Sequence, residues 1–180
     1  KIKRGKDRVN VEKLLPSDTE FPSVTGGYIL KRDWIEGNVI NTEVFNDELV
    51  VVYPKEEDML EPQRDFLIQY LNHFEESLEQ QDGQYDDYID LNSFADFMLM
   101  MELSRNVDAY VLSTYMHIAR EGKLTMGPIW DFNGSLGNAD YFQSWETEGW
   151  HYNNPEFPAD NPNGFHWYAH LLDDPNFQAL

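Results

Sequence analysis

The most regular apolar pattern in the chain lies between residues 61 and 81, where hydrophobic side chains recur every three to four positions. This spacing predicts an amphipathic α-helix. The apolar stripe consists of Phe66, Leu67, Tyr70, Leu71, Phe74 and Leu78. Pro62 suits the first helical turn, because an N–H group there would have no partner within the helix. We therefore expect this helix to bury one face against a core.

A second helical pattern follows in DLNSFADFMLMMELSRN, residues 90–106. The segment begins with capping residues, and its large apolar residues recur at helical spacing. These residues are Phe94, Phe97, Met98 and Met101. We expect a mostly buried helix that brings Glu102, Asn106 and Asp108 to its C-terminal end.

Shorter apolar runs predict β-structure. In VTGGYILKRDW, residues 24–34, a glycine pair leads into a short and largely buried strand. ELVVVYP, residues 48–54, is rich in β-branched residues and is stopped by a proline. Residues 109–119 and 123–132, separated by REGK, resemble a pair of β or extended segments.

The apolar pattern weakens after Gly134. Residues 145–164 contain three prolines and many asparagines, which predicts a long surface loop. Residues 164–177 restore a short amphipathic helix. The predicted fold class is therefore α+β and helix-dominated, with a few short strands near the segment from Asp108 to Asp131.

Composition narrows the possible partners. The chain has 180 residues, 41% of them hydrophobic, which is enough for one domain with a core. Its formal net charge of −20 leaves no basic surface for nucleic acid or an anionic membrane. An anionic ligand would need a divalent cation between itself and the protein. The sequence has no cysteine and no apolar run close to the ~18 residues of a membrane-spanning helix.

Two carboxylates stand where regular structure is predicted to end. Asp108 follows the second helix, and Asp131 lies in GPIWDFNG after an extended run. Phosphoryl transfer uses such a pair, one carboxylate to orient the nucleophile and another to hold magnesium. The alternative is structural, because an aspartate at a turn is commonly a helix cap or a satisfied hydrogen-bond acceptor.

The longer string YIDLNSFADFMLMMELSRNVDAYVLSTYMHIAREGKLTMGPIWDFNGSLGN, residues 88–138, closely resembles the CotH kinase family, the spore-coat protein H-like atypical kinases. VTGGYILKRD, YPKEEDMLEPQRDFLIQYLNHFEESL and FHWYAHLLDDPNF resemble further parts of the family in the same order. The resemblance therefore spans about residues 24–177.

The resemblance implies a secreted or cell-surface bacterial protein with a kinase-like fold. Its activity would be transfer of phosphate from ATP to a protein Ser or Thr hydroxyl with Mg²⁺. Asp108 matches the catalytic aspartate and Asp131 the metal-binding aspartate. Asn106 accompanies the first, and Ser113 stands where protein kinases carry an asparagine that holds a second metal, so both are expected to be cofactor-binding residues. Asn133 replaces the second aspartate of the usual Trp-Asp-Phe-Asp motif, and its amide oxygen could still ligate Mg²⁺.

The same resemblance implies that this chain is the C-terminal lobe plus hinge of a longer protein. Only 25 residues precede Gly26, too few for a lobe carrying a phosphate-gripping lysine, so we expect the isolated fragment to be inactive. We divide this single-domain fragment into an N-terminal lead (1–24), hinge and short strands (25–60), helices with the catalytic and metal segment (61–140), and an aromatic loop with a terminal helix (141–180).

Two other functions remain open. Residues 141–152 interleave tryptophan and tyrosine with Glu146 and Glu148, a combination suited to sugar stacking or glycoside hydrolysis. A carbohydrate-associated module is thus one alternative, and an inactive kinase-like scaffold is the other.

Two motifs suggest metal sites but have simpler explanations. His166 and His170 are spaced to share one helix face. Without a third ligand, an amphipathic surface explains them better than zinc does. ADNPNG, residues 159–164, offers oxygen ligands but breaks the spacing of a calcium loop, so we expect a turn there.

Overall fold

The computed structural model describes residues 3–153 and 166–180. Five strands form one antiparallel sheet in the order β2-β3-β1-β4-β5. The strands are β1 Tyr28–Arg32, β2 Val39–Asn41, β3 Glu48–Tyr53, β4 Thr114–Ile118 and β5 Leu124–Met126. The α-helices are α1 Glu61–Gln80, α2 Leu91–Ser104, α3 His166–Asp173 and α4 Pro175–Gln178. The predicted α+β class is confirmed.

The strand predictions were right in place and too long at their ends. β1 and β3 lie where the apolar runs indicated, and β4 and β5 pair as a hairpin. Residues 109–113 are not part of β4, because the chain turns there. β2 was missed, since three residues are too few to show a period-2 pattern.

The helix predictions held well for α1 and partly for α2. α1 ends one residue before the predicted limit, at Gln80, and Pro62 lies in its first turn. Asp90 caps α2 by accepting a hydrogen bond from the Ser93 N–H at 3.2 Å. The prediction that α2 is mostly buried was wrong, because Leu99, Met100 and Leu103 are exposed on its outer face. Among the described helices, none combines the length and apolarity needed to cross a bilayer.

The main core lies between the sheet and the helices. Aromatic rings from three helices meet there: Phe74 packs edge-on against Trp167 with centroids 5.0 Å apart, and both contact Phe94. A polar network crosses this core. The Trp167 indole N–H donates to Glu75 Oε1 at 2.8 Å, and the Arg32 guanidinium lies 4.6 Å over the Trp167 ring. Trp167 thus joins the C-terminal helix α3 to α1 and to β1, the middle strand of the sheet.

A smaller apolar cluster covers the other face of the sheet. It joins Val9 and Val11 of the N-terminal lead to Ile29 of β1 and Tyr115 of β4. The N-terminal lead therefore contributes two buried valines to this cluster.

Gly26 explains why a glycine pair precedes β1. A β-carbon at this position would lie 2.2 Å from the backbone of Ala119 and Arg120, far inside van der Waals contact. Only glycine lets the chain entering β1 pass so close to the end of β4.

Candidate functional site

The first carboxylate is set by the way α2 ends. Arg105 adopts a left-handed conformation with φ 45°, and the N–H of Asn106 returns to the Met101 carbonyl at 3.0 Å. The Asn106 side-chain oxygen then accepts from the Asp108 N–H at 3.2 Å. A further turn runs from Asp108 to Leu112, whose N–H donates to the Asp108 carbonyl at 2.9 Å. Asp108 is therefore held, half-buried, on a hydrogen-bonded turn between α2 and β4.

The second carboxylate is joined to this turn by two side chains. The Asn106 amide donates to the Asp131 carbonyl oxygen at 3.2 Å, and the Ser113 hydroxyl donates to Asp131 Oδ2 at 2.9 Å. Asp131 itself has φ 66°, which is uncommon for a residue other than glycine. The structure thus brings together four of the predicted site residues, with Asn106 and Ser113 linking the segments that carry Asp108 and Asp131.

Trp130 fixes this arrangement indirectly. Its indole N–H donates to the Ser113 carbonyl at 2.9 Å, and its ring packs edge-on against Tyr115 at 5.7 Å. The other aromatic neighbour of Asp131, Phe132, is 36% exposed and is therefore not a buried packing partner of the Asp131 side chain. The Asp131 carboxylate is oriented by the Ser113 hydroxyl instead.

Gly134 has a packing role beside the turn that carries Asp108. A β-carbon there would lie 2.9 Å from Val107 Cγ2 and 3.6 Å from Asp108 Oδ2. Gly134 therefore allows the segment that carries Asp131 to approach Asp108.

Asn133 lies on the same loop but outside this hydrogen-bonded group. It is exposed, and its backbone carbonyl accepts from the Asn138 amide at 2.7 Å. Its assignment as a metal ligand stays a prediction.

Electrostatics adds a residue that the sequence analysis missed. The pKa of Asp108 is raised, first by burial and then by the negative charges of Asp131 and Asp33. Asp33 directly follows β1, and the pairing of Arg32 with Thr114 places it beside Ser113. In the sequence, Asp33 is only the last residue of the KRD run and carries no sign of a site. The pairing of β1 with β4 is what brings it close to Asp108.

The donor chemistry fits a hard cation. Within the described residues, no group of three or more His, Asp or Glu side chains is arranged to hold a metal ion. Magnesium in phosphoryl-transfer sites is commonly bound by one or two carboxylates, with substrate phosphates and waters completing its shell. Asp131 is half-buried and oriented by Ser113, so its carboxylate is suited to this role.

The two histidines of α3 serve packing. The rings of His166 and His170 stack on Phe45 with centroids 5.6 and 4.9 Å away. This agrees with their interpretation as part of a helix surface. The ADNPNG segment lies outside the described residues.

Hydrogen bonds from Arg105 hold the aromatic loop, residues 141–152, against the C-terminal end of α2. The Arg105 guanidinium donates to the carbonyls of Gln143, Glu148 and Gly149, at 2.9 to 3.3 Å. Trp145 and Trp150 are both about half exposed, but they line two different clefts.

A family comparison agrees with this geometry. The model of the family described as CotH kinase protein matches residues 6–180, nearly the whole chain. Neither a curated protein nor a solved structure matches the chain. Because the family match covers far more than half of the sequence, the chain belongs to the CotH kinase protein family.

Proposed function

We propose that this chain belongs to a kinase that transfers phosphate from ATP to a Ser or Thr hydroxyl of a protein. Family membership supports kinase-like chemistry in general. The order of the site segments supports the finer statement: a catalytic turn follows α2, a β-hairpin follows the turn, and a metal-binding aspartate follows the hairpin.

One observation carries the proposal. Two hydrogen bonds, Asn106 to the Asp131 carbonyl and Ser113 to the Asp131 carboxylate, tie the two aspartate segments into one unit. A structural aspartate at a turn needs only a local backbone partner. Here the polar contacts bridge residues 25 and 18 positions apart in the chain, which is the arrangement needed to fix one carboxylate relative to another.

Each residue then has a distinct role. Asp108 orients the acceptor hydroxyl and accepts its proton, and its raised pKa suits a proton acceptor. Asp131 would hold Mg²⁺, which neutralises charge on the transferring phosphate when bound. Ser113 and Asn106 keep Asp131 in position, and Asn133 offers a further oxygen to the metal. We further propose that the protein acts outside the bacterial cell or at its surface, where polysaccharide-associated proteins are possible partners.

Phosphate transfer from radiolabelled ATP tests the proposal, with Mg²⁺ and a serine-rich acceptor protein. The chain is assayed as it stands and joined to any natural upstream sequence. Wild type in the longer form should incorporate label, and Asp108→Ala and Asp131→Ala should each reduce incorporation to about one-hundredth or less. Leu99→Gln, an exposed change on α2, should retain it.

Calorimetry separates metal binding from chemistry. Asp131→Ala should lose Mg²⁺-dependent nucleotide binding, whereas Asp108→Ala should keep it. If wild type and both aspartate variants fold normally and incorporate equal amounts of label, the catalytic hypothesis is wrong and the scaffold interpretation is the one that is left.

A further inference from the structure

The C-terminal end of α2 borders a cleft of about 370 Å³, which we call the α2-end cleft. Its walls include Leu103, Leu136, Gly137, Ser144, Trp145 and Glu146. Leu103 and Leu136 are 81% and 82% exposed, and Trp145 is 54% exposed. Three large apolar side chains from three separate segments thus surround one concave surface. Clustered exposed apolar groups of this kind indicate an interaction site.

The backbone around the cleft is held in unusual conformations. Leu136 has φ 55° and its N–H donates to the Ser104 carbonyl at 2.7 Å. Arg105, Phe142 and Gln143 also have positive φ, between 45° and 52°. Such conformations persist only where surrounding contacts impose them, and they concentrate at functional sites. The left-handed backbone leaves the Leu136 side chain in solvent at the edge of the cleft.

The polar groups beneath the cleft are already bonded within the protein. The Glu102 carboxylate accepts from the Tyr110 hydroxyl and from the Tyr152 N–H, at 2.7 and 3.0 Å. The Ser104 hydroxyl donates to the Met100 carbonyl at 2.7 Å, and the Ser144 hydroxyl donates to the Ala139 carbonyl. A sugar would need directed polar partners here. An apolar side chain needs none, so the cleft fits one better.

One short chain segment links the cleft to the candidate catalytic site. The segment from Gly134 to Gly137 starts beside Asp108 and ends in the cleft wall. An extended segment whose hydroxyl lies at Asp108 and which follows this loop would reach the cleft within about two to four residues, at ~3.3 Å per residue. Exposed Glu146 and the net charge of −20 disfavour an acidic segment.

We infer that the α2-end cleft binds the acceptor protein as an extended, non-acidic segment and seats one large apolar side chain of that segment near the acceptor hydroxyl. The inference rests on the proposed function for the position of the hydroxyl. The apolar side chain near the acceptor hydroxyl is a substrate feature that the two aspartates do not select. Under this inference, the residues that determine specificity are Leu103, Leu136 and Trp145.

Short fluorescein-labelled peptides test this by fluorescence anisotropy without nucleotide. Each peptide has one central serine in a glycine and glutamine background, with a single leucine placed in turn at each position on either side. Leucine at one or two positions within about four residues of the serine should tighten binding at least ~10-fold over glutamine. Because this change is made in the peptide, it cannot be confused with misfolding of the protein.

Protein variants then locate the preference. Leu103→Gln and Trp145→Ala should each abolish the ~10-fold leucine preference. Leu99→Gln is the matched control, since Leu99 is another exposed leucine on the same helix, and it should keep the preference. A leucine preference that survives both cleft variants, or no preference at any position, overturns the inference.

Two other occupants of the cleft would also overturn it. One is an oligosaccharide, detected as chitohexaose or cellohexaose binding that Trp145→Ala removes. The other is a second copy of the chain, detected in sedimentation as self-association that Leu103→Gln removes. The peptide assay is repeated with Asp131→Ala, which should keep the leucine preference. A leucine preference in wild-type protein that transfers no phosphate would uphold the cleft and refute the kinase activity.

Discussion

The two faces of the sheet are stabilised in different ways. On the helix-facing side, Phe74, Phe94 and Trp167 fill a continuous aromatic core. On the opposite side, the separate apolar cluster is small, with Val9 and Val11 covering Ile29 and Tyr115.

Beside that smaller cluster, the candidate site is held by hydrogen bonds. Asn106, Ser113 and Trp130 fix positions that burial alone would not. Replacing a large buried side chain on the helix-facing side by a smaller one should therefore destabilise the fold. Removing a single polar contact at the candidate site should disturb the site geometry and leave the protein folded.

The largest effect is expected from Phe74→Ala. Phe74 is fully buried and contacts Phe94 and Trp167, so the change should lower the free energy of unfolding by about 3–5 kcal/mol. Urea unfolding followed by circular dichroism measures the change. Phe21→Ala is the control, because Phe21 is 79% exposed and should cost less than about 0.5 kcal/mol. Similar losses for both variants would contradict the assignment of the core.

The next largest effect concerns the pH dependence of the unfolding free energy, to which Glu75 and His151 should contribute in opposite directions. Burial raises the pKa of Glu75 to about 7 and lowers the pKa of His151 to about 4. Folded Glu75 keeps its proton where the unfolded chain has lost it, so its contribution to stability falls as pH rises from 4.5 to 7. Folded His151 stays neutral where the unfolded chain is protonated, so its contribution falls as pH drops from 6.5 to 4. Each slope should be about 1.4 kcal/mol per pH unit.

Unfolding free energies measured across this pH range separate the two groups. Relative to wild type, Glu75→Gln should gain stability as pH rises from 4.5 to 7, and His151→Gln should gain as pH falls from 6.5 to 4. A Glu75→Gln curve parallel to wild type would mean that Glu75 is ionised in the folded protein throughout. Comparing differences from wild type cancels the contributions of other carboxylates.

Gly134→Ala should separate site geometry from stability. Its β-carbon would lie 2.9 Å from Val107 Cγ2, and relieving the overlap should cost about 1–3 kcal/mol. The segment that carries Asp131 would move away from Asp108, so phosphate transfer should fall by more than the loss of folded protein explains. Gly5→Ala is the matched control, because neither glycine has a positive φ and the nearest atom to a β-carbon at Gly5 is 4.0 Å away. Full activity in Gly134→Ala would show that the close approach is unimportant.

The smallest effect on folding is expected from Ser113→Ala. It removes the 2.9 Å hydrogen bond to Asp131 and should lower the free energy of unfolding by about 0.5–1.5 kcal/mol. If Ser113 orients a metal-binding carboxylate, Mg²⁺ affinity should fall about 10-fold or more. Calorimetry with Mg²⁺ and a nucleotide measures this. Ser93→Ala tests a serine on α2, bonded to the Asp90 carbonyl, and should leave Mg²⁺ affinity unchanged.

Local sequence determined the elements whose pattern is long or strongly marked. α1 follows from its apolar stripe and Pro62, and the start of α2 follows from the Asp90 cap. β1 and β3 follow from their apolar runs. These features depend on side-chain periodicity and on contacts within a few residues, which the sequence displays directly. The positions of Asp108 and Asp131 at the ends of elements could be predicted for the same reason.

Tertiary structure decided the contacts between distant segments. The bonds from Asn106 and Ser113 to Asp131 exist because β4 and β5 fold back beside the end of α2. The proximity of Asp33 to this site depends on the pairing of β1 with β4. The cleft at the end of α2 depends on the aromatic loop that Arg105 holds. Sequence periodicity describes which face of an element is apolar, but it does not contain the distances between elements, and those distances build the site.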